Sequence, residues 1–291
     1  MMGARQFANS VTRILTNPHI HRWRSLIRHL HWQWRKLWDL FPFEQTISRS
    51  KIRAAHRRCS TSALIYSQGL YDYNNMRLLQ ALLDPGDVFF DIGANIGVYT
   101  LLSSEREGTQ VWAFEPHPTT FLQLSDNVRL NHRYNVRLFN LAVGNNNGSV
   151  RISDESVSAT NHIVETWGAH ALAIPSRRLD HLCAEHGVRP RYVKIDVEGF
   201  EYAVLDGCGS ILEDVDLFMI EINGLSDQRA RGRDDIHRLL TRSGLSGPWT
   251  CDFDLRLIRP THARDREDSL YGSTRFFATV AHKGFSTSAV S

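Results

Sequence analysis

Phe89-Phe90-Asp91-Ile92-Gly93-Ala94-Asn95-Ile96-Gly97 is the stretch on which the fold turns. The apolar run Val88–Ile92 reads as a buried strand, and Val98–Ser104 continues beyond the loop as a helix. Glycines at such a strand-to-helix turn let the backbone approach a ligand, because no Cβ intervenes. The spacing is not that of the dinucleotide loop G-x-G-x-x-G: Gly93 and Gly97 stand four apart, with Asn95 between them. Asp91, just before the turn, suits an ammonium group or ordered water and would repel a pyrophosphate.

Outward from this loop the chain alternates. Strands are expected at Val111–Phe114, Val136–Leu141, Tyr192–Ile195 and Leu217–Ile222. Helices are expected at Met76–Leu83, Thr119–Asn131, Glu201–Leu205 and Asp234–Ser243. That order implies a mostly parallel sheet covered on both faces. Two later β-like segments, Thr250–Ile258 and Thr274–His282, are expected to pair as an antiparallel edge hairpin. Residues 145–178 break the rhythm, with a turn at Asn145–Gly148 and a short strand at Ser149–Ile152. An irregular insertion at the carboxyl end of such a sheet is expected to serve the acceptor substrate.

Two further motifs carry chemistry. Glu115-Pro116 ends the second strand, 18 residues beyond Gly97, where an acid can accept both hydroxyls of a ribose. In Val193-Lys194-Ile195-Asp196-Val197-Glu198-Gly199, period-two alternation puts Lys194, Asp196 and Glu198 on one face. Ionisable side chains there are costly unless they pair or lie at the strand exit. Asp196 and Glu198 are thus expected beside the reacting end of a cofactor, against the plainer alternative of a Lys194–Asp196 ion pair with helix-capping acids. A ribose clamp without a phosphate loop, with an acid suited to an ammonium, favours S-adenosylmethionine over NAD.

Composition bounds the rest. At 291 residues, 42% of them hydrophobic, the chain can bury one substantial core. Cys59, Cys183, Cys208 and Cys251 are far apart and match no metal spacing, so they read as free thiols in a reducing compartment. No apolar run approaches the roughly 20 residues that span a bilayer, so the expected location is cytoplasmic or peripheral on the cytosolic membrane face. The formal charge of +3 conceals an asymmetry: residues 1–58 hold twelve Lys or Arg against two acids, and the remainder 22 against 29. A basic, Trp-rich helical arm (1–58) is therefore expected to precede a catalytic domain (59–291).

Within the arm, Asn17-Pro18 reads as a helix start and Pro42 as its stop. Ile20, Trp23, Ile27, Leu30, Trp34, Leu37 and Phe41 fall on one helical face, interleaved with Arg22, Arg24, Arg28, Arg35 and Lys36. Docking of this face on the catalytic body or a second subunit is favoured over membrane contact through residues 18–41. Nucleic acid is not expected, since no binding motif accompanies the charge. Oligomeric state is left open.

The stretches FFDIGANIGVYTLL, VWAFEPHPTTFLQLSDNVRLN, NLAVG, SRRLDHL, YVKIDVEGFEYAVLDG and LFMIEIN together resemble the FkbM family of methyltransferases over roughly residues 70–225. The resemblance implies a Rossmann-like class I α/β fold, with seven strands and the last antiparallel. It implies methyl transfer from S-adenosylmethionine to a hydroxyl oxygen of a sugar, glycan, glycolipid or polyketide-like acceptor. By position, Asp91, Gly93, Asn95 and Gly97 would form the methionine-side loop and Glu115 would hold the ribose. Ala142 and Val143 would flank the adenine, and Asn127 would be an extra cofactor contact. An alcohol needs its proton accepted as the new bond forms, and Asp196 is the first choice of base, Glu198 the second and His162 a distant third. The two acids could instead hold a divalent cation, although two carboxylates alone complete no metal site. An NAD-dependent oxidoreductase and a non-catalytic scaffold are the competing readings.

Overall fold

The computed structural model describes residues 4–153, 171–222, 231–261 and 268–288. Helices α1 (Ala4–Thr16) and α2 (Arg22–Leu37) precede a hairpin of β1 (Phe43–Ile47) and β2 (Ser50–Ala54), then α3 (Ser60–Gln68) and α4 (Tyr73–Leu82). The alternating core follows: β3 (Val88–Ile92), α5 (Val98–Ser104), β4 (Gln110–Phe114), α6 (Pro118–Leu130) and β5 (Val136–Phe139). A small three-stranded sheet comprises β6 (Ala142–Val143), β7 (Gly148–Ser153) and β8 (Ala171–Arg177). The core resumes with α7 (Leu179–His186), β9 (Tyr192–Ile195), α8 (Glu201–Asp206), a 3-10 turn (Gly209–Glu213), β10 (Leu217–Glu221) and α9 (Arg233–Arg242). It ends with β11 (Ser246–Asp252), β12 (Leu257–Pro260), β13 (Asp268–Gly272), α10 (Thr274–His282) and β14 (Ser286–Thr287).

The main sheet runs β14-β12-β11-β13-β10-β9-β3-β4-β5. From β10 to β5 every neighbour is parallel, and β13 is antiparallel to β10. The expected seven-stranded core with an antiparallel last strand is therefore present, and β12 and β14 extend it. Chain order runs outward in both directions from the β3–β9 pair, which makes the carboxyl ends of these strands the switch point where open α/β sheets bind ligands.

Side chains from each central strand feed two cores. Phe89, Val111 and Ala113 pack with α4, α5, α6 and α10 on one face. Phe90, Ile92, Trp112 and Phe114 pack with α7, α8 and α9 on the other. Burial on both faces is why these strands read as continuous apolar runs instead of alternating ones.

Several expectations are corrected. Thr274–His282 is a helix, not a strand: Phe276 and Val280 stand four apart and are buried, and Ser273 caps the amino end by accepting the Phe276 N–H. The edge hairpin is instead β11 with β12, which splits the expected Thr250–Ile258 strand. The arm is not helical throughout residues 1–58, because β1–β2 buries Ile47 and Ile52 in the core face with α5 and α6. Nor does Asn17-Pro18 start α2. The Asn17 side-chain oxygen accepts the His19 N–H, turning the chain between two helices, and His21 caps α2.

The stripe expected to dock α2 is not the face that docks. Ser25, His29 and Trp32 are buried, with Trp32 against Phe41, Phe43 and Tyr66. Trp23, Ile27, Leu30, Trp34 and Leu37 lie exposed. The docked face is thus the one that places Trp32 in an aromatic cluster with Phe41, Phe43 and Tyr66.

Candidate active site

The carboxyl ends of β3, β4, β9 and β10 open onto a cavity of about 610 Å³, within the range of small-molecule sites. Gly93, Asn95, Glu115, Ala142, Val143, Asp196 and Glu198 all line it. Three motifs far apart in sequence are thus brought to one space.

The glycine loop is shaped by close approach. Gly93 has φ +81°, and a Cβ there would lie 1.8 Å from the Asp196 carbonyl oxygen. The Gly93 and Ala94 N–H groups both donate to the Phe114 carbonyl, tying the loop to β4. Asn95 also takes a left-handed conformation, φ 52°, with its side-chain oxygen accepting the Ile96 N–H. Its own N–H donates to Glu115 Oε2 at 2.9 Å, while the His117 N–H donates to Glu115 Oε1 at 2.9 Å. Burial pushes the Glu115 carboxyl up to about 7 despite those two bonds, and the nearby Asp196 and Asp91 add to the rise. A carboxylate has further lone pairs available beyond these two bonds.

Asp91 does not reach the cavity. Its carboxylate is 1% exposed and accepts the Thr100 hydroxyl at 2.6 Å. It stands in register with Lys194 on β9. Burial raises its pKa, and Lys194 and Thr100 pull the other way. Gly97 and Asn127 are likewise behind the wall. Gly97 gives α5 its left-handed cap and leaves room for Leu124. The Asn127 amide donates to the Ile96 carbonyl at 2.8 Å and its oxygen accepts the Arg53 N–H at 2.8 Å. Asn127 therefore ties the loop to β2 and does not line the cavity.

At the strand exit the alternation does not extend to Glu198. β9 ends at Ile195, and Glu198 and Gly199 turn left-handed, φ 50° and 93°. Glu201, buried, fixes this turn by accepting the Gly199 N–H at 2.8 Å. The ion pair foreseen as the plainer alternative is formed: Lys194 Nζ lies 2.8 Å from Asp196 Oδ2. Burial alone would lower the Lys194 ammonium, but Asp196, Asp91 and Glu221 around it hold it above the usual lysine range. Lys194 also lies over the Tyr99 ring, 4.8 Å from its centre.

This ammonium bears on the divalent-cation alternative, since a positive charge held against Asp196 Oδ2 would repel a cation placed beside it. Among the described residues no group of three or more His, Cys, Asp or Glu could hold a metal. His162 and the middle of the 145–178 insertion lie outside the described residues, whereas Ile152 on β7 does line the cavity.

Sequence reading missed a further polar part of the lining. Tyr71, Asp72, Tyr99 and Glu221 line the cavity, and the Tyr99 hydroxyl donates to the Asp72 carboxylate. Burial raises the Asp72 pKa. Glu221 could have been found as an acid ending the apolar run LFMIE, but Asp72 carries no motif. Arg13 on α1 and Ser60, Thr61 and Leu64 on α3 also line the cavity, so the arm reaches the site through Arg13.

A mostly parallel α/β sheet with a glycine turn, a ribose-type acid on the next strand and no phosphate loop defines a Rossmann-like methyltransferase that uses S-adenosylmethionine. A family model described as the methyltransferase FkbM domain matches residues 91–246. The chain belongs to that family. It is similar to the hexuronic acid methyltransferase AglP of Haloferax volcanii, with 34% identity covering 59% of this chain and 68% of the relative. It is also similar to the 31-O-demethyl-FK506 methyltransferase FkbM of Streptomyces tacrolimicus, with 31% identity covering 46% of this chain and 62%, less than two thirds, of that protein. Among solved structures, M. jannaschii TYW2 in complex with AdoMet aligns at TM-score 0.39 and 13% identity, covering 80% of this chain and 86% of that one.

Proposed function

We propose that the enzyme methylates a hydroxyl oxygen of a sugar-type acceptor, with a polyketide hydroxyl as the second choice. The observation that carries this reading is the convergence of the glycine loop, Glu115 and the Lys194–Asp196 pair on one cavity. The two named relatives, acting on a hexuronic acid and on FK506, support the acceptor classes.

The residues fit the cofactor. Gly93 has no Cβ, so the loop packs directly on the Asp196 backbone, and Gly93, Asn95 and Glu115 border the cavity where the cofactor would lie. Glu115 would accept the ribose hydroxyls, Ala142 and Val143 would flank the adenine, and Asn95 would border the amino-acid portion. When bound, S-adenosylmethionine supplies a sulfonium-activated methyl group, so no further activation of the donor is needed. The chain's own work is to align the acceptor oxygen and receive its proton. Asp196 takes that proton, while Lys194 holds its carboxylate by Oδ2 and fixes its direction. Asp91 steadies Lys194 from behind and is a positioning residue. Arg13 at the wall can pair with a carboxylate carried by the acceptor, such as that of a uronic acid.

All four cysteines are free and buried, which fits a reducing compartment. No helix among the described residues is long and apolar enough to cross a membrane.

The test uses labelled S-adenosylmethionine with uronic acids, neutral sugars and macrolide alcohols. A hydroxyl acceptor gives a labelled ether that survives mild alkali. Label lost to alkali would mean an ester on a carboxylate, which needs no base, and would overturn the assignment of Asp196. Calorimetric titration with NAD alongside should show no binding.

A further inference from the structure

We infer that the outer face of α2 seats this enzyme on an anionic lipid bilayer. Trp23, Ile27, Leu37 and Trp38 are 71, 66, 69 and 67% exposed, and Leu30 and Trp34 join them in one stripe. Other exposed large apolar side chains among the described residues are Leu15 on α1, Leu40 just beyond α2, and the scattered Leu122, Tyr134 and Leu255. A contiguous apolar patch of this kind marks an interaction surface. Packing within the chain does not require it, because α2 docks through the opposite side, with Ser25, His29 and Trp32.

Charge selects the occupant. Residues 22–37 contain no acid, and exposed Arg24 and Arg28 run along one flank of the stripe with Arg22 on the other. Tryptophan at the centre and arginine at the borders match the two layers of a bilayer surface, acyl boundary and anionic headgroup. A second copy of the chain would bring two strongly basic arms together through the same face, which like-charge repulsion opposes. An anionic membrane has the complementary sign and needs no pocket. The placement also serves the site: α2 packs on α3, whose Ser60, Thr61 and Leu64 line the cavity, and Arg13 of α1 lines it too.

Vesicle flotation with the full chain tests this. Vesicles of phosphatidylglycerol and phosphatidylcholine in equal parts should carry the protein at least about tenfold better than phosphatidylcholine alone, with binding weakened by salt. The variant Trp23→Ser, Ile27→Ser, Leu37→Ser should lose about tenfold or more of that partition, by the area rule for interfacial helices. These side chains are exposed, so its melting temperature and its affinity for S-adenosylmethionine should not change. Arg24→Glu with Arg28→Glu should weaken flotation as well. Failure of the intact chain to float at low salt would overturn the inference, as would equal binding to both vesicle types. A dimer in light scattering that the serine variant dissolves would also overturn it, making the face a self-association surface.

Discussion

The α-carbon of Gly93 faces the carbonyl oxygen of Asp196 so closely that a methyl group at Gly93 would come within 1.8 Å of it. The loop that would cradle the cofactor and the residue proposed as base are therefore one packed unit across the β3–β9 switch point. Gly93→Ala must move backbone, since the obstructing atom is not the end of a flexible side chain, and φ +81° adds strain. Expected are a loss of about 3 kcal/mol or more in stability and no measurable cofactor binding. Gly97→Ala carries similar strain at φ +94°, but its one close contact is Leu124 Cδ1, the end of a flexible side chain, so it should cost less and keep residual binding. Thermal melts and calorimetry on both variants check the order, and equal effects would contradict the packing.

Glu115 predicts a pH dependence with two opposite signs. Its folded value is about 7 against 4.5 for the free side chain, chiefly through burial. Without ligand the neutral form favours the fold, so this group's contribution is fully present below about 4.5 and is lost as pH rises through about 7. Ribose hydroxyls need the carboxylate as acceptor, so cofactor affinity should instead increase over the upper part of the same window. Binding at pH 6 should be about tenfold weaker than at pH 8, one proton being lost on binding. Glu115→Gln should flatten both trends. Affinity that rises as pH falls would show that Glu115 binds in its neutral form.

Much of this architecture was legible because its causes are local. The strands Val88–Ile92 and Tyr192–Ile195 were readable as apolar runs, and the loop as two glycines where only backbone without Cβ fits. Asp196 and Glu115 were conspicuous as acids at strand ends, and both line the cavity. What escaped was tertiary. Asn127 looks like a site residue by position, yet its partners Arg53 and Ile96 come from a hairpin and a loop that no periodicity links. Asp72 joins the cavity only through the packing of α4 against α5. The rotation of α2 was misread because the face that docks carries a single large side chain, Trp32, beside Ser25 and His29, a pattern less conspicuous than the apolar stripe.

Asn127 on α6 and Asn131, which caps its carboxyl end one turn later, satisfy the edge of β2, bonding to the Arg53 N–H and to both polar groups of the Lys51 backbone. Asn127→Ala would orphan a strand N–H and the Ile96 carbonyl together. A loss of about 2 kcal/mol is expected, typical of buried backbone groups left without partners. Affinity for S-adenosylmethionine, measured well below the melting temperature, should change less than about threefold, since a strut and not a ligand contact is removed. A large loss of affinity with unchanged stability would restore Asn127 as a cofactor contact.

Asp196→Asn tests the chemistry most directly. The substitution keeps the shape and removes the capacity to take a proton. Turnover should fall about 100-fold or more while the KM for S-adenosylmethionine holds, the pattern of an interaction made only as the reaction proceeds. Lys194 would also lose its closest counter-charge, although Asp91 and Glu221 still surround it. A stability loss of about 2 kcal/mol is therefore expected, less than for a buried cation left alone. Glu198→Gln separates the two acids. Glu198 lies on the left-handed turn beyond the strand, so its loss should cost less than about tenfold in turnover. If Glu198→Gln proved the more damaging variant, the proton would go to Glu198, and Asp196 would be the counter-ion that holds Lys194 in the wall.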